Sequence, residues 1–265
     1  MLHRCRQEIP QPGSGAGRDH PELRPRLRPP HGPGASRDHP TPDAPPLPVR
    51  SAPVSTTEDA PSTATGPGVG PHPQPWPDDP RYDPELLAHG DHRNVVDGYR
   101  YWSVEAIVAD LDTRRHPLHI AIQNWEHDFN IGSMVRTANA FNVAGVHIVG
   151  RRRWNRRGAM VTDRYLHVHH HPDAADLVAW AAAADVPLVG VDNLPGSVPV
   201  ERTELPQRCC LVFGSEGQGL TEDVVAACSG VVAITQYGST RSINAGAAAA
   251  ITMYHWALRW AGRDS

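Results

Sequence analysis

The chain has 265 residues and a formal net charge of −4, so no global basic field points to a polyanionic partner. All 25 basic residues are arginine, which excludes a Walker A phosphate loop and Schiff-base chemistry, both of which need lysine. Four cysteines, Cys5, Cys209, Cys210 and Cys228, fit no metal spacing and point to a reduced, cytoplasmic protein.

Composition divides the chain. Of the 27 prolines, 21 lie in residues 1–84, among Gly, Ser, Thr and scattered charge. Such a stretch buries too little apolar surface to offset chain entropy, so residues 1–85 are expected to form a disordered Pro-rich tail. It lacks the apolar core of a signal peptide, and no 18-residue apolar run occurs anywhere. Two origins fit it equally: a native tail, or a start codon placed too far upstream.

The remaining residues suffice for one domain with a full core. Val104, Ile107, Val108 and Leu111 recur at helical spacing within Tyr101–Asp112, after a Ser103 cap. Residues 90–116 therefore read as an N-terminal helical extension. Leu118 to Ile122 is a short apolar strand, and Asn124 to Asn130 a polar loop. Ile131, Met134, Val135, Ala138 and Phe141 then mark one face of a helix, with Asn130 as its N-cap. Gly145 to Gly150 reads as a strand, Leu166 to about His169 as another, and Asp173 to Ala184 as an Ala-rich helix. Strands follow at Pro187–Val191, Arg208–Phe213 and Gly230–Ile234, with a short helix at Thr221–Cys228 capped by Thr221. A long helix from about Ser242 to Trp260 closes the chain. Strands alternating with helices predict an α/β fold with a mainly parallel sheet covered on both faces.

Three polar stretches follow strands or begin helices, where open α/β sheets bind ligands. The first is Asn130 to Arg136. Counted at 100° per residue, Arg136 leaves the apolar face and points to solvent, free to reach a phosphate. The second is Leu211 to Leu220, LVFGSEGQGL, with three glycines around Glu216. Glycine tolerates positive φ and close backbone approach. The spacing matches neither the GxGxxG fingerprint nor, at Ser215, the GxSxG elbow. The third is Gln236 to Asn244, with Ser242 as a candidate cap before the Ala/Gly run Ala245–Ala250. Each stretch alone is also compatible with a cap or a tight turn.

Together the three stretches resemble the motifs of the TrmH-like class of the SPOUT superfamily of RNA 2′-O-ribose methyltransferases. The matches are Asn130, Gly132 and Arg136 in N-x-G-x-x-x-R-T-A, then F-G-S-E-G-x-G-L at Phe213–Leu220, then S-I-N at Ser242–Asn244. The resemblance covers about Pro117 to Trp260. It implies a Rossmann-like domain over residues 117–265 whose C-terminal part threads a deep trefoil knot. It also implies a homodimer that transfers a methyl group from S-adenosylmethionine to a ribose 2′-OH in tRNA or rRNA. By position, Gly214, Ile234 and Ile243 fall where such proteins contact the cofactor. Arg136 falls on their catalytic Arg, and Asn130, Glu216, Ser242 and Asn244 on their other characteristic polar positions. Departures are Asn142 in place of the usual Gly after the first helix, Ile243 for Leu, and Ala245-Gly246 for Val-Ser. The separate N-terminal RNA-binding domain and the C-terminal extension of several relatives have no counterpart, which leaves the RNA open. A non-catalytic RNA-binding protein of the same fold and a base methyltransferase are the alternatives.

One further run stands out. Arg151, Arg152, Arg153, Arg156 and Arg157 surround Trp154, an RNA-contact pattern of phosphate-binding charges with a stacking ring. A solvated loop is the bland alternative. His167, His169, His170 and His171 lack Cys or carboxylate partners, so no metal site is expected.

Overall fold

The computed structural model describes residues 68–125, 130–215 and 217–262. Seven parallel strands form one sheet: β1 (His116–Asn124), β2 (Val143–Gly150), β3 (Val168–His171), β4 (Leu188–Val191), β5 (Val198–Pro199), β6 (Cys209–Phe213) and β7 (Gly230–Ala233). The order is β3-β2-β1-β6-β4-β7-β5. The late strand β6 lies between β1 and β4, with Ile120 level with Leu211 on one side and Val189 level with Leu211 on the other. A sheet buried on both faces needs apolar residues at nearly every position, which is why these strands read as continuous apolar runs.

Helices cover each face, as the alternation predicts. In β1, Leu118, Ile120 and Ile122 face a core completed by Ile131, Met134, Val135 and Ala138 of α3 (Ile131–Ala140). Ala249, Met253 and Trp256 of the last helix, Ala245–Trp260, join the same core. Ala121, Val149 and Val212 face the opposite side, under Leu177 of α4 (Ala174–Ala184) and Val224 of α5 (Glu222–Ala227). The last helix is α6. No helix among the described residues is long and apolar enough to cross a membrane.

The N-terminal segment departs from its compositional reading. Residues 1–67 lie outside the described residues, but residues 68–85, assigned to the tail, carry defined structure. Val69 bridges Asp91, and Tyr82 bridges Trp102. A short helix α1 (Pro84–His89) starts on the Asp83 cap, with proline where no amide partner is needed, and buries Leu87. The organising residue is Asp91, which is fully buried and accepts from Arg93 Nε at 2.8 Å, Arg93 Nη2 at 2.7 Å and the Tyr101 amide at 2.9 Å. Burial alone would raise its pKa, but these bonds outweigh that and hold it at about 2. Composition misses this because the segment is held by one buried ion pair and backbone bridges, not by apolar periodicity. In the extension, regular α-helix is confined to α2 (Val104–Asp112), on the expected Ser103 cap.

Two caps differ from expectation. α6 begins at Ala245 rather than near Ser242, and the cap is Asn244, whose Oδ1 accepts from the Ala247 amide at 3.1 Å. Thr221 holds the cap position of α5 without a side-chain cap bond. Its hydroxyl instead accepts from Gln123 Nε2 at 2.8 Å, while its amide donates to Gln123 Oε1 at 3.0 Å.

Candidate active site

The C-terminal ends of β4, β6 and β7 meet the start of α6 around a cleft of about 540 Å³. Gly214, Ile234 and Ile243, the three positions matched to cofactor contacts, line it together with Ser242 and Asn244. The loop after β6 folds back on itself. A Cβ on Gly214 would stand 2.0 Å from the Gly219 carbonyl carbon and 2.3 Å from the Leu220 nitrogen, and Gly219 itself has φ +68°. No other residue type permits that self-crossing without moving the backbone.

Asp192, at the end of β4, ties this loop down. Its Oδ2 accepts from the Leu220 amide at 2.8 Å, and its Oδ1 from the Asn193 amide at 2.7 Å. Asn193 Nδ2 and Gln236 Nε2 both donate to the Arg241 carbonyl, at 3.0 and 3.3 Å, which holds the third polar stretch against the cleft. The sequence reading placed Gln236 at the start of the third stretch but passed over Asp192 and Asn193. Their signal was available, since Asp192 and Asn193 directly follow an apolar strand, as Gly214 does.

The first and third stretches meet at helix starts. Asn130 occupies the cap position of α3 but forms no side-chain cap bond; its Oδ1 accepts from Asn244 Nδ2 at 2.8 Å. Asn244 therefore caps α6 with its oxygen and reaches α3 with its nitrogen. Small residues permit the approach: a Cβ on Gly246 would lie 2.6 Å from Ser133 Oγ and 3.7 Å from Asn130 Oδ1. Gly132 performs the same service on the other flank, where a Cβ would meet the Ala159 nitrogen at 2.8 Å and the Asn155 oxygen at 2.9 Å.

That second contact seats the arginine-rich loop against α3. Asn124 Nδ2 holds the loop by donating to the carbonyls of Arg151 at 2.7 Å and Arg153 at 3.0 Å. Arg151, Arg152, Arg153, Arg156 and Arg157 are exposed. Trp154 is partly buried against the core, with the Arg156 guanidinium 5.4 Å from its ring centre. Arg136 is also exposed, and no hydrogen bond or ion pair holds it among the described residues. It lines a different cavity, of about 660 Å³, between α3 and the N-terminal segment. Within one chain the structure thus brings together Asn130, Asn244, Ser242, Gly214, Ile234 and Ile243, and places Arg136 outside their cleft. Glu216 lies outside the described residues.

The described thiols are held in their protonated form. Burial pushes Cys209 up to about 12 and Cys228 up to about 11, and raises Cys210 well above its ordinary value. Among the described residues, no group of three or more His, Cys, Asp or Glu side chains is arranged to hold a metal ion. Of the four clustered histidines, His167 Nε2 instead donates to Asp112 Oδ1 at 2.8 Å, and His170 Nε2 to the Gly150 carbonyl at 2.8 Å.

A parallel α/β sheet covered by helices on both faces, with a cleft at its strand ends, defines a Rossmann-like fold. The sequence profile of the SpoU rRNA Methylase family matches residues 117–254, just over half the chain, and the chain belongs to that family. It is 31% identical over 189 residues to an "Uncharacterized tRNA/rRNA methyltransferase" of Mycolicibacterium vanbaalenii, covering 66% of this chain and 58% of that protein. It is 24% identical over 153 residues to the tRNA (guanosine(18)-2′-O)-methyltransferase of Escherichia coli K12, covering 56% and 67%. Among solved structures, the A. aeolicus TrmH/SpoU tRNA modifying enzyme superposes with a TM-score of 0.53 at 19% identity, covering 59% of this chain and 81% of that one. This last likeness supports the fold.

Proposed function

We propose that this protein is an S-adenosylmethionine-dependent RNA methyltransferase that transfers a methyl group to a ribose 2′-OH in tRNA or rRNA. The observation that carries the reading is the 2.8 Å bond between Asn130 and Asn244, which locks the first and third motifs together beside the Gly214 cleft. The names of the M. vanbaalenii and E. coli relatives point the same way.

The cleft suits the cofactor. It offers apolar walls at Phe213, Ile234 and Ile243, backbone made accessible by glycine, and polar side chains at Asp192 and Gln236. The Ser215 hydroxyl, buried on its edge, has no hydrogen-bond partner among the described residues, an orphan that a bound polar group would satisfy. Gly214, Ile234 and Ile243 would hold the cofactor, which supplies an activated methyl group on a sulfonium. The chain's own task is then largely positioning. Ser242 and Asn244 present polar groups at the cleft mouth. Arg136, unpaired and always protonated, would bind the neighbouring phosphate and stabilise the developing alkoxide, within an assembly that takes the proton. Because it lies outside the cleft of its own chain, that role calls on the cleft of a second copy in the homodimer. Glu216 is assigned to orienting that assembly rather than to proton removal.

The rest of the reading follows the same resemblance. Residues 117–265 form the methyltransferase domain, and its C-terminal part is knotted, a reading supported by the insertion of β6 between β1 and β4. A homodimer is supported by Ile251, Tyr254 and Leu258, an exposed apolar stripe along α6 at 43, 57 and 67% exposure. The arginine loop contacts RNA, and the free cysteines agree with a cytoplasmic location.

The test is calorimetry of S-adenosylhomocysteine on the full chain, followed by nucleoside mass spectrometry of tRNA and rRNA from a strain lacking the protein. Binding, with loss of one 2′-O-methyl nucleoside, is expected. A folded protein that binds nothing at millimolar ligand overturns the enzyme reading and favours a non-catalytic RNA-binding protein. Loss of a base-methylated nucleoside instead favours the base methyltransferase.

A further inference from the structure

The cavity that Arg136 lines has a second unusual wall. Met160 and Val161 both adopt left-handed backbone, at φ 48° and 64°. For valine, branched at Cβ, this conformation is a true outlier. Such strain persists only where neighbouring structure imposes it. The turn is in fact pinned at both ends. Its start is pressed against α3, since a Cβ on Gly158 would meet the Ser133 nitrogen at 2.9 Å. Its end is fixed by the buried Thr162 hydroxyl donating to the Ala159 carbonyl at 2.7 Å. The result exposes two apolar side chains, each 55% accessible, where burial would be the ordinary outcome.

Charge and polarity surround that apolar pair. Arg136 and Arg164 line the same cavity, both exposed and neither held by a hydrogen bond or ion pair among the described residues. The opposite wall comes from the N-terminal segment, with exposed His92 and Asn94. That wall is rigid, because Arg93 between them is clamped by buried Asp91. Unpaired cations, an apolar platform and side chains able to bond a base edge together match one unpaired nucleotide. The turn is also continuous with the arginine-rich loop, tied to it by the Arg156–Asp163 ion pair at 3.5 Å. A strand running along that loop is led toward the cavity.

We propose that this cavity is an RNA subsite. It receives one unpaired nucleotide, with its base against Met160 and Val161 and its phosphate between Arg136 and Arg164, and the N-terminal segment forms its outer wall. The proposal rests on the RNA methyltransferase reading and adds to it a recognition role for Met160, Val161, Arg164 and residues 90–94. Proteins read RNA largely through such splayed-out bases, since A-form duplexes hide base edges.

The experiment uses the full chain and a fluorescein-labelled single-stranded oligoribonucleotide of mixed sequence, read by anisotropy across salt concentrations. The double substitution Met160→Gly, Val161→Gly should weaken binding roughly 5- to 10-fold through lost apolar contact. Its melting temperature should hold or rise, because glycine accepts the left-handed backbone. Arg164→Gln, an exposed change that keeps the fold, should weaken binding and lower the salt slope by about 0.7 for the one lost phosphate contact. A fully duplexed RNA should bind the double variant as it binds wild type, since paired bases cannot enter. Wild-type affinity for the single strand in both variants overturns the subsite and leaves the methyltransferase reading standing. Weakened binding in a protein that fails to bind S-adenosylhomocysteine supports the subsite and overturns methyl transfer.

Discussion

The two faces of the sheet are built on different principles. On the α3 and α6 side the strands present Leu118, Ile120, Ile122, Val146 and Ile148, a dry aliphatic layer. Across the same strands, His119 and His147 point the other way, toward α4. The rings form a chain: His119 Nδ1 lies 3.2 Å from His147 Nε2, and His147 Nδ1 lies 2.8 Å from His171 Nε2. Trp180 of α4 closes over them, its ring centre 3.8 Å from that of His147. The first face fixes helix starts through glycine-sized contacts and carries the first and third motifs of the proposed site. The second face takes Leu220 from the second motif and otherwise stores polar groups in its interior. Changes at the exposed polar positions that the first face presents, Arg136 above all, should therefore alter chemistry at constant stability, and changes in the buried histidine chain of the second should alter stability at constant chemistry.

The largest expected effect breaks that comparison most directly. Arg136→Ala removes an exposed, unpaired side chain, so stability should change by under about 0.5 kcal/mol. If Arg136 stabilises the developing alkoxide, single-turnover methyl transfer at saturating RNA and cofactor should fall roughly 100- to 1000-fold. Arg136→Lys should rescue little, because the ammonium lacks the planar fork. Near-normal turnover in Arg136→Ala would remove Arg136 from the mechanism. A lowered melting temperature would mean that the α3 face depends on Arg136 structurally.

A smaller effect belongs to the loop seated on α3. Replacing Arg151, Arg152, Arg153, Arg156 and Arg157 with Gln should weaken RNA binding about 10- to 100-fold at low salt and flatten its salt dependence, since each lost phosphate contact removes counterion release. Cofactor affinity should hold, because none of the five lines the Gly214 cleft. Unchanged RNA affinity at every salt concentration would reduce the cluster to a solvated loop.

How much of this was legible in the sequence differs between the two faces as well. Strand and helix alternation, the two-sided sheet and the exposure of Arg136 followed from periodicity, because burial on known faces dictates spacing. The grip of Asp192 on the Leu220 amide and the structured residues 68–85 did not, because their partners lie about 20 to 30 residues along the chain. Asn244 replaced Ser242 as the cap for a similar reason, since its amide bonds α3 and α6 at once, a pairing 114 residues apart. The histidines show the limit most clearly. His167 and His169 share a strand face in sequence, but the ring that contacts His169 is His147 on the neighbouring strand, at 4.9 Å between centres. Which rings form the chain depends on parallel register, with His147 level with His169, and a single sequence does not contain register.

The second face yields the last and smallest prediction, in stability alone. Burial, aided by the neighbouring histidines, depresses His147 to about 2, and burial with the His169 and Arg208 charges depresses His119 to about 4. His169 and His171 are lowered in the same direction, also first by burial. A neutral ring donates from one nitrogen and accepts at the other, so the chain His119–His147–His171 is satisfied with His147 uncharged, and burial is what keeps it so. The sign follows. Above the ordinary value of 6.5, folded and unfolded chains bind the same protons at His147 and the pair of states is unaffected by pH. As pH falls below 6.5 the unfolded chain takes up a proton that the fold refuses, so stability falls, by up to about 1.4 kcal/mol per pH unit for His147. The loss at His119 ends near 4, whereas Asp91, held at about 2 from an ordinary 3.8, keeps its stabilising contribution across that range and loses it only as pH falls from about 3.8 toward 2. Urea midpoints measured between about pH 7 and pH 5 should therefore decline, while S-adenosylhomocysteine affinity of the still-folded protein stays level, since no ring of the chain lines the Gly214 cleft. His147→Asn should lower stability at neutral pH and shrink the pH slope by about one proton's worth. A slope unchanged by that substitution would place the acid sensitivity elsewhere and dissolve the contrast between the faces.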